Sequence, residues 1–343
     1  MKKIVVHRAG SYAELAMESA PDPSPQAGEV LIACQAIGVN YADCIVRMGL
    51  YASARELVGW PITPGFEAAG RVLRVGPGVT DLREGDEVLA VTRFGGYATM
   101  ICVPRSQVFR RPTQLSTAEA AAFPAVSLTA YFALFELANL RAGQRILVHS
   151  AAGGVGTALL ALARITGAPA VAVVGATHKV ELARALGAEV VIDKSREDLW
   201  TSAERAAPRG YRVILDANGA ETLRASYRHL GSPGKLVVYG FHTMLPREGG
   251  KPRWGRLAID WLRTPRFDPL AMTNENRSVL AFNLSYLFEE QGFLAEAMGR
   301  LLGWVSSGEM PAPKVTTYPF DRVADAHRDL ESGQTTGKLV LLP

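Results

Sequence analysis

The run RILVHSAAGGVGTALLALAR, from Arg145 to Arg164, holds the residues whose spacing most clearly implies chemistry. An apolar strand signal ends at His149, Ala151-x-Gly153-x-x-Gly156 follows, and helix-forming residues come directly behind. This is the glycine-rich turn of a dinucleotide-binding fold with alanine in its first place. Gly153 lets the backbone approach a pyrophosphate and Gly156 lets the helix close on the strand. The N–H groups from Gly154 and Val155 onward face an anion at the helix start. The end of the next strand selects the nicotinamide cofactor, because an Asp or Glu there would hold the adenosine ribose 2′-hydroxyl. The chain instead has Val173, Val174, Gly175, Ala176 and Thr177. Lys179 and Lys194 follow, each either a solvated side chain or a ligand of a 2′-phosphate. The missing acid favours NADPH over NADH.

Such a turn needs a parallel sheet to carry it. RILVHS, AVAVVG, EVVID, YRVILDANG and GKLVVYG alternate with amphipathic helices, the pattern of a doubly wound α/β domain with helices on both faces. A Ser116-x-x-Glu119 capping box opens the helical region before it. The first 120 residues alternate short apolar runs with turns such as VGPGV and REGDE, which predicts a mainly β domain. After a helical stretch from Ser278 to Gly308, the tail KVTTYPFDRVADAHRDLESGQTTGKLVLLP returns to strand, helix, strand and is expected to fold back onto that domain. Residues 1–120 with 278–343 therefore form one domain and 121–277 the other.

A length of 343 residues suits two domains, and 48% hydrophobic with 20% charged residues suits a globular protein. No apolar run is long enough to cross a bilayer, and Arg8 and Glu14 interrupt the N-terminal apolar stretch before a secretory core could form. The protein is expected to be cytoplasmic. Cys34, Cys44 and Cys102 are too few and too irregular for a disulfide framework or a four-cysteine zinc site, and the six histidines are scattered, so no metal is expected. A net charge of +4 spread along the chain gives no reason to expect a nucleic-acid partner. The segment Arg247 to Arg266 is basic and carries Trp254 and Trp261. It reads either as a contact with an anionic membrane surface or as a lid over the substrate. Pro252 and Gly255, which spoil a continuous amphipathic helix, favour the lid.

Several stretches together resemble the medium-chain dehydrogenase/reductase superfamily over essentially the whole chain: GVNYADCIVRMGLY (38–51), PGFEAAG (64–70), VGPGVTDLREGDEV (75–88), residues 120–156 and the C-terminal PFDRVADAHRDLESGQTTGKLVLLP. The match is nearest to the zinc-free quinone oxidoreductase group that includes zeta-crystallin, and within it to the vesicle amine transport protein branch. The resemblance implies a GroES-like catalytic domain beside the Rossmann domain. The three catalytic-zinc positions of the alcohol dehydrogenases then fall at Asn40, Phe66 and near Ala125, and all three ligands are lost. Phe66 becomes a pocket wall.

By the same likeness Asn40, Asp43 and Tyr51 stand beside the nicotinamide. Asn40 would donate its amide to the substrate oxygen and Tyr51 a hydrogen bond or proton. Asp43 would orient its neighbours or simply brace a turn. Arg93 is either a binder of developing negative charge or a surface arginine. Thr129, Gly240, Phe241, Phe282, Asn283 and Leu284 match cofactor-lining positions, and Lys338 would add to the 2′-phosphate pocket. The implied activity is zinc-independent, NADPH-dependent reduction of quinones or α,β-unsaturated carbonyls by a homodimer. The alternatives are an enoyl-thioester reductase and an NADPH-regulated membrane-surface or lipid-binding protein.

Overall fold

Two units make up the computed structural model, which describes residues 1–246 and 248–343. The first unit contains 1–128, a short return at 248–251 and 284–343; the second contains 129–246 and 252–283. These breaks fall later than the expected ones after residues 120 and 277. The cause at the second break is a strand at 277–281 that extends the sheet of the second unit, so the chain leaves only after it.

In the first unit β1 (Lys2–Val5) and β2 (Ala16–Ser19) form an antiparallel ladder. A larger sheet contains β3 (Glu29–Val39), β4 (Glu67–Val75), β5 (Glu87–Val91), β6 (Met100–Pro104), β7 (Val108–Arg110), and, from the far end of the chain, β14 (Val315–Pro319) and β15 (Lys338–Leu342). Its order is β14-β15-β3-β4-β5-β7, with β6 also paired to β3. Inward residues of these strands, among them Ile32, Ile37, Val72, Val88, Leu339 and Leu341, share one core with Phe320 and Val323. Helices α1 (Tyr41–Arg47), α2 (Ala52–Leu57), α3 (Thr117–Ala121), α11 (Gln291–Ser306) and α12 (Val323–Ser332) complete this unit, and α4 (Pro124–Tyr131) carries the chain into the second.

The second unit is a parallel sheet of β8 (Ile146–Val148), β9 (Ala170–Val174), β10 (Ala188–Asp193), β11 (Tyr211–Asp216), β12 (Leu230–Val238) and β13 (Arg277–Ala281). Its order, β10-β9-β8-β11-β12-β13, is that of a doubly wound dinucleotide fold. Strands covered by helices on both faces read as unbroken apolar runs, and every residue of β8 and β9 is buried. The helices are α5 (Gly154–Thr166), α6 (Val180–Ala185), α7 (Leu199–Ala206), α8 (Leu223–Arg228), α9 (Trp254–Arg263) and α10 (Pro269–Glu275). Among the described residues no helix is long and apolar enough to cross a membrane.

Arg247, the first residue of the basic segment, lies outside the described residues. Within the rest of that segment Trp254–Arg263 form a helix. Pro252 precedes α9 and Gly255 sits in its first turn, so neither interrupts it. Trp254 (69%), Trp261 (65%) and Leu262 (73%) are largely exposed on it.

Candidate functional site

The strand order of the second unit reverses at β8, with β9 on one side and β11 on the other. At such a switch point the turns after the strands diverge and leave room for a ligand. Here the chain turns sharply at Ser150, whose φ is +52°, and α5 starts with Gly153 as its N-cap. The first-turn N–H groups, from Gly154 and Val155, lack carbonyls one turn earlier, the arrangement that suits an anion. A Cβ on Gly156 would lie 2.4 Å from the Ser150 carbonyl oxygen and 2.6 Å from Ala151 Cα, so only glycine lets the helix sit this close. Gly153 differs. A Cβ there would meet nothing nearer than the Ser150 oxygen at 3.4 Å, so nothing within the protein requires glycine at this position. Ala151 is fully buried and donates its N–H to Val173 across the sheet.

The turn after β11 is braced to the glycine turn. Ser150 Oγ donates to Asn218 Oδ1 at 3.0 Å. The buried Asp216 carboxylate in turn accepts from the N–H groups of Asn218 and Gly219 and from the Thr222 and Ser226 hydroxyls. Gly240 packs against Ala217, and Phe241 beyond it is exposed. Phe282 packs tilted against Phe132, ring centres 4.8 Å apart, Phe282 and Asn283 close the second unit, and Leu284 begins the return to the first. Thr129 lies half-buried on α4.

No carboxylate ends β9. The nearest, Asp193 at the end of β10, is occupied by the Thr177 hydroxyl at 2.7 Å and by the N–H and hydroxyl of Ser195. Lys194 is exposed, and its Cε lies 3.7 Å from where a Gly175 Cβ would be. Arg196, also exposed, donates Nε to Thr177 Oγ1 at 3.3 Å, which adds a cation that the sequence reading missed. The signal was available in the K-S-R run directly after the third strand. Lys179 is 9% exposed, so its reading as a solvated side chain does not hold.

In the first unit β3 ends at Val39, and the next residue, Asn40, is the N-cap of α1. Asn40 Nδ2 donates to Glu67 Oε1 at 2.9 Å, and Asn40 Oδ1 accepts from Lys338 Nζ. Lys338 also pairs with Glu67 Oε1 at 2.6 Å, and Glu67 Oε2 accepts the Ala125 N–H at 2.7 Å. Glu67 and Lys338 are both buried. The expected place of Lys338 at a 2′-phosphate is therefore corrected: β15 pairs beside β3, which delivers its ammonium to Asn40 and Glu67, and a carboxylate already neutralises it.

Asp43 accepts from Asn40 N, Gly65 N and Tyr97 Oη at 2.8, 2.8 and 3.0 Å. It braces the two turns that lead to Asn40 and Phe66, which is the structural alternative foreseen for it. Burial pushes its carboxyl up to about 7, against the pull of those donors and of Lys338. Behind it lies a buried chain: Tyr97 Oη meets His327 Nε2 at 3.0 Å, and His327 Nδ1 meets Arg47 Nη1 at 3.1 Å. Arg47 Nη2 then donates to Glu331 Oε1 at 2.7 Å. An arginine cannot accept, so Nδ1 must, and the ring proton sits on Nε2 and points to Tyr97. Burial and the neighbouring Arg47 hold His327 well below the usual histidine range.

Phe66, 5% exposed, packs edge-on to Tyr51 at 5.9 Å and against Phe94 at 5.2 Å, in a hydrophobic cluster with Ile62 and Ala125. Tyr51 caps α2. Arg93 makes a long 3.4 Å ion pair with the exposed Glu289, the surface reading of that residue.

Comparison with known proteins adds the lineage. Residues 26–113 match the alcohol dehydrogenase GroES-like domain and residues 186–341 the model described as zinc-binding dehydrogenase. The synaptic vesicle membrane protein VAT-1 homolog of Rattus norvegicus is 33% identical over 345 residues, covering all of this chain and 84% of that protein. The chain belongs to the medium-chain dehydrogenase/reductase superfamily. Within it the fold is shared with Escherichia coli quinone oxidoreductase complexed with NADPH, at a TM-score of 0.86 and 26% identity with both chains fully covered. It is also shared with the CurK enoyl reductase, at 0.84 and 26%, covering 99% of this chain and 98% of that one.

The name of the second family model implies zinc, and the superfamily's ligand positions can be tested against the side chains present. Asn40 has its amide oxygen on Lys338 and an N–H on Glu67, Phe66 offers a ring, and Ala125 a methyl. These do not fit a tetrahedral N/S donor set. Among the described residues Cys44, His327 and Glu331 also come close enough to share an ion, but both nitrogens of His327 and both oxygens of Glu331 are already engaged with Arg47, Tyr97 and Tyr12.

Proposed function

We propose that this superfamily member is an NADPH-dependent, zinc-independent reductase of quinones or α,β-unsaturated carbonyls. The observation that carries the reading is the carboxamide of Asn40 at the first metal-ligand position, held by Glu67 and Lys338. An amide N–H can stabilise negative charge on a carbonyl oxygen without a Lewis acid. A conjugated acceptor needs little more, because the charge that develops is delocalised onto that oxygen. Gly153, Gly156 and the start of α5 fit the pyrophosphate, Lys194 and Arg196 fit a 2′-phosphate, and NADPH when bound supplies the reducing equivalents. Phe66, Tyr51 and Phe94 give an apolar wall suited to a planar acceptor.

The test is oxidation of NADPH and NADH by metal-stripped protein against a panel of quinones, enones and enoyl thioesters. Turnover with NADPH that persists under chelation is expected, and a preference for enoyl thioesters would move the assignment to that subclass. Loss of turnover on metal removal, restored by zinc, would overturn the reading.

A second reading, a protein that works at a membrane surface, is favoured by α9, where exposed Trp254, Trp261 and Leu262 stand among Arg256 and Arg263, with Arg266 just beyond. Under it the protein co-sediments with anionic liposomes at low salt, and Trp254→Glu with Trp261→Glu abolishes this. Absence of binding by the unmodified protein removes it. A homodimer and a cytoplasmic location remain part of the main proposal, the dimer through β13, the edge strand of the parallel sheet.

A further inference from the structure

We infer that the buried Lys338–Glu67 pair is a positioning device that locks the Asn40 carboxamide in one orientation and presents its second N–H to the oxygen of the substrate. The inference rests on the reductase reading and deepens it, from the fact that Glu67 and Lys338 hold Asn40 to what their charges do for its donor.

The argument starts from what each partner can do. An ammonium can only donate and a carboxylate can only accept. Lys338 Nζ faces Asn40 Oδ1, and Glu67 Oε1 faces Asn40 Nδ2. Flipping the amide would set its NH2 against the ammonium and its oxygen against the carboxylate, so the orientation is fixed by charge. The carboxamide has two N–H groups. One goes to Glu67, and the other has no partner among the described residues.

The geometry also ties this donor to the vacated metal positions. Glu67 follows Phe66 in the chain, and its two oxygens hold the Asn40 side chain and the Ala125 N–H. One carboxylate thus links the three places where the metal-dependent members of the superfamily carry ligands. The ammonium on Oδ1 draws electron density through the amide and strengthens its remaining N–H as a donor, since linked hydrogen bonds polarise one another. A buried ion pair is a weak source of stability and can often be replaced by apolar residues. Gly38 is shaped to admit this one, because a Cβ there would come 2.4 Å from Glu67 Oε1.

The test separates position from fold with the double variant Lys338→Met/Glu67→Gln. It removes both charges, so neither is left buried alone. The amide oxygen introduced at position 67 must accept the Ala125 N–H, which turns the new NH2 toward Asn40 and reverses the preference of that carboxamide. Two readouts are taken. The first needs no turnover: 4-nitrophenol is titrated into the protein with NADP⁺ present, and its absorbance reports whether the bound probe is phenolate. The wild type is expected to lower the probe's apparent pKa and the double variant to leave it at its solution value. The second is steady-state reduction of an enone, where kcat is expected to fall about 100-fold with KM and NADPH affinity little changed.

If no acceptor is reduced by the wild type, the reductase reading fails while the phenolate titration still decides this one. A wild type that leaves the probe's ionisation unaltered overturns the inference. So does a folded double variant that matches the wild type in both readouts. If the double variant does not fold, Asn40→Ala and Lys338→Arg replace it. Asn40→Ala is expected to lose the phenolate shift and Lys338→Arg, which keeps a donor on Oδ1, to retain it. Equal shifts in the two overturn the inference.

Discussion

Gly153 and Gly156 stand three residues apart in one turn, yet only Gly156 is crowded by the protein itself, and alanine at each position separates the effect on folding from the effect on a ligand. At Gly156 a methyl would overlap backbone atoms of Ser150 and Ala151 at 2.4 to 2.7 Å. Ordinary contact begins near ~3.4 Å, so α5 and β8 must part by about 1 Å, and overpacking of this kind costs ~1–3 kcal/mol or more. At Gly153 the backbone is extended, with φ −82° and ψ 173°, and the methyl meets only one oxygen at 3.4 Å. Two small terms then oppose each other. Alanine restricts the unfolded chain, worth ~0.4–1 kcal/mol, and is a poorer N-cap than glycine by a similar amount. The net change in stability is within about 1 kcal/mol, but the methyl occupies the space through which a pyrophosphate would approach.

Gly153→Ala is therefore expected to melt near the wild type and to bind NADPH at least about tenfold more weakly, a loss of ~1.4 kcal/mol. Gly156→Ala is expected to melt several degrees lower. Thermal denaturation of the apo proteins and a fluorescence titration with NADPH measure the two effects. If Gly153→Ala bound NADPH as well as the wild type, or Gly156→Ala matched its stability, the division of labour within the turn would be wrong.

Stability should respond to pH through two groups of opposite sign. His327 is held well below its usual 6.5, so on unfolding it takes up a proton in acid and stability falls as pH drops below ~6.5. Asp43, raised to about 7 from 3.8, holds the extra proton in the folded state across that interval, so its contribution grows as pH falls. Asp43→Asn removes only the second effect, and its urea midpoint should drop more steeply between pH 7 and 5 than that of the wild type. Lys194→Ala and Arg196→Ala should each weaken NADPH binding while leaving NADH binding nearly unchanged, measured by paired titrations. Equal losses for both cofactors would remove these cations from a 2′-phosphate site. Gly38→Ala, whose Cβ would press on Glu67 Oε1 and the Ala121 carbonyl, should lower the melting temperature and displace Glu67, visible as reduced enone turnover.

The glycine turn and the parallel sheet were legible in the sequence because their signals are local. Strand, turn and helix follow one another between Arg145 and Arg164, and buried parallel strands announce themselves as apolar runs. That Asn40, Phe66 and Ala125 carry no sulfur or imidazole donor was legible as well, since residue types are read directly from the sequence. The network around Asn40 was not. Lys338 and Asn40 are 298 residues apart, and only the pairing of β15 with β3 brings them together. Glu67 carried no mark in the sequence beyond its place after Phe66, and Gly38, which makes room for it, looked like any glycine in a strand. The helix α9 was misjudged because Pro252 and Gly255 were weighed as breakers, whereas a proline before the first turn and a glycine within it leave the rest of a helix intact.

The first unit is interrupted by the second, and that has a consequence during synthesis. Until β15 is made, the flank of β3 that it will cover stays open, with its N–H and C=O groups unpaired. At ~5–20 residues per second the ribosome takes some tens of seconds to travel from β3 to β15. The dinucleotide unit, whose last residue is Asn283, has time to form first, while the unfinished β sheet waits with an edge that could recruit a strand from a neighbouring chain. Chaperone demand during production should therefore fall on the first unit, and a circular permutant that begins near residue 284 would shorten the wait.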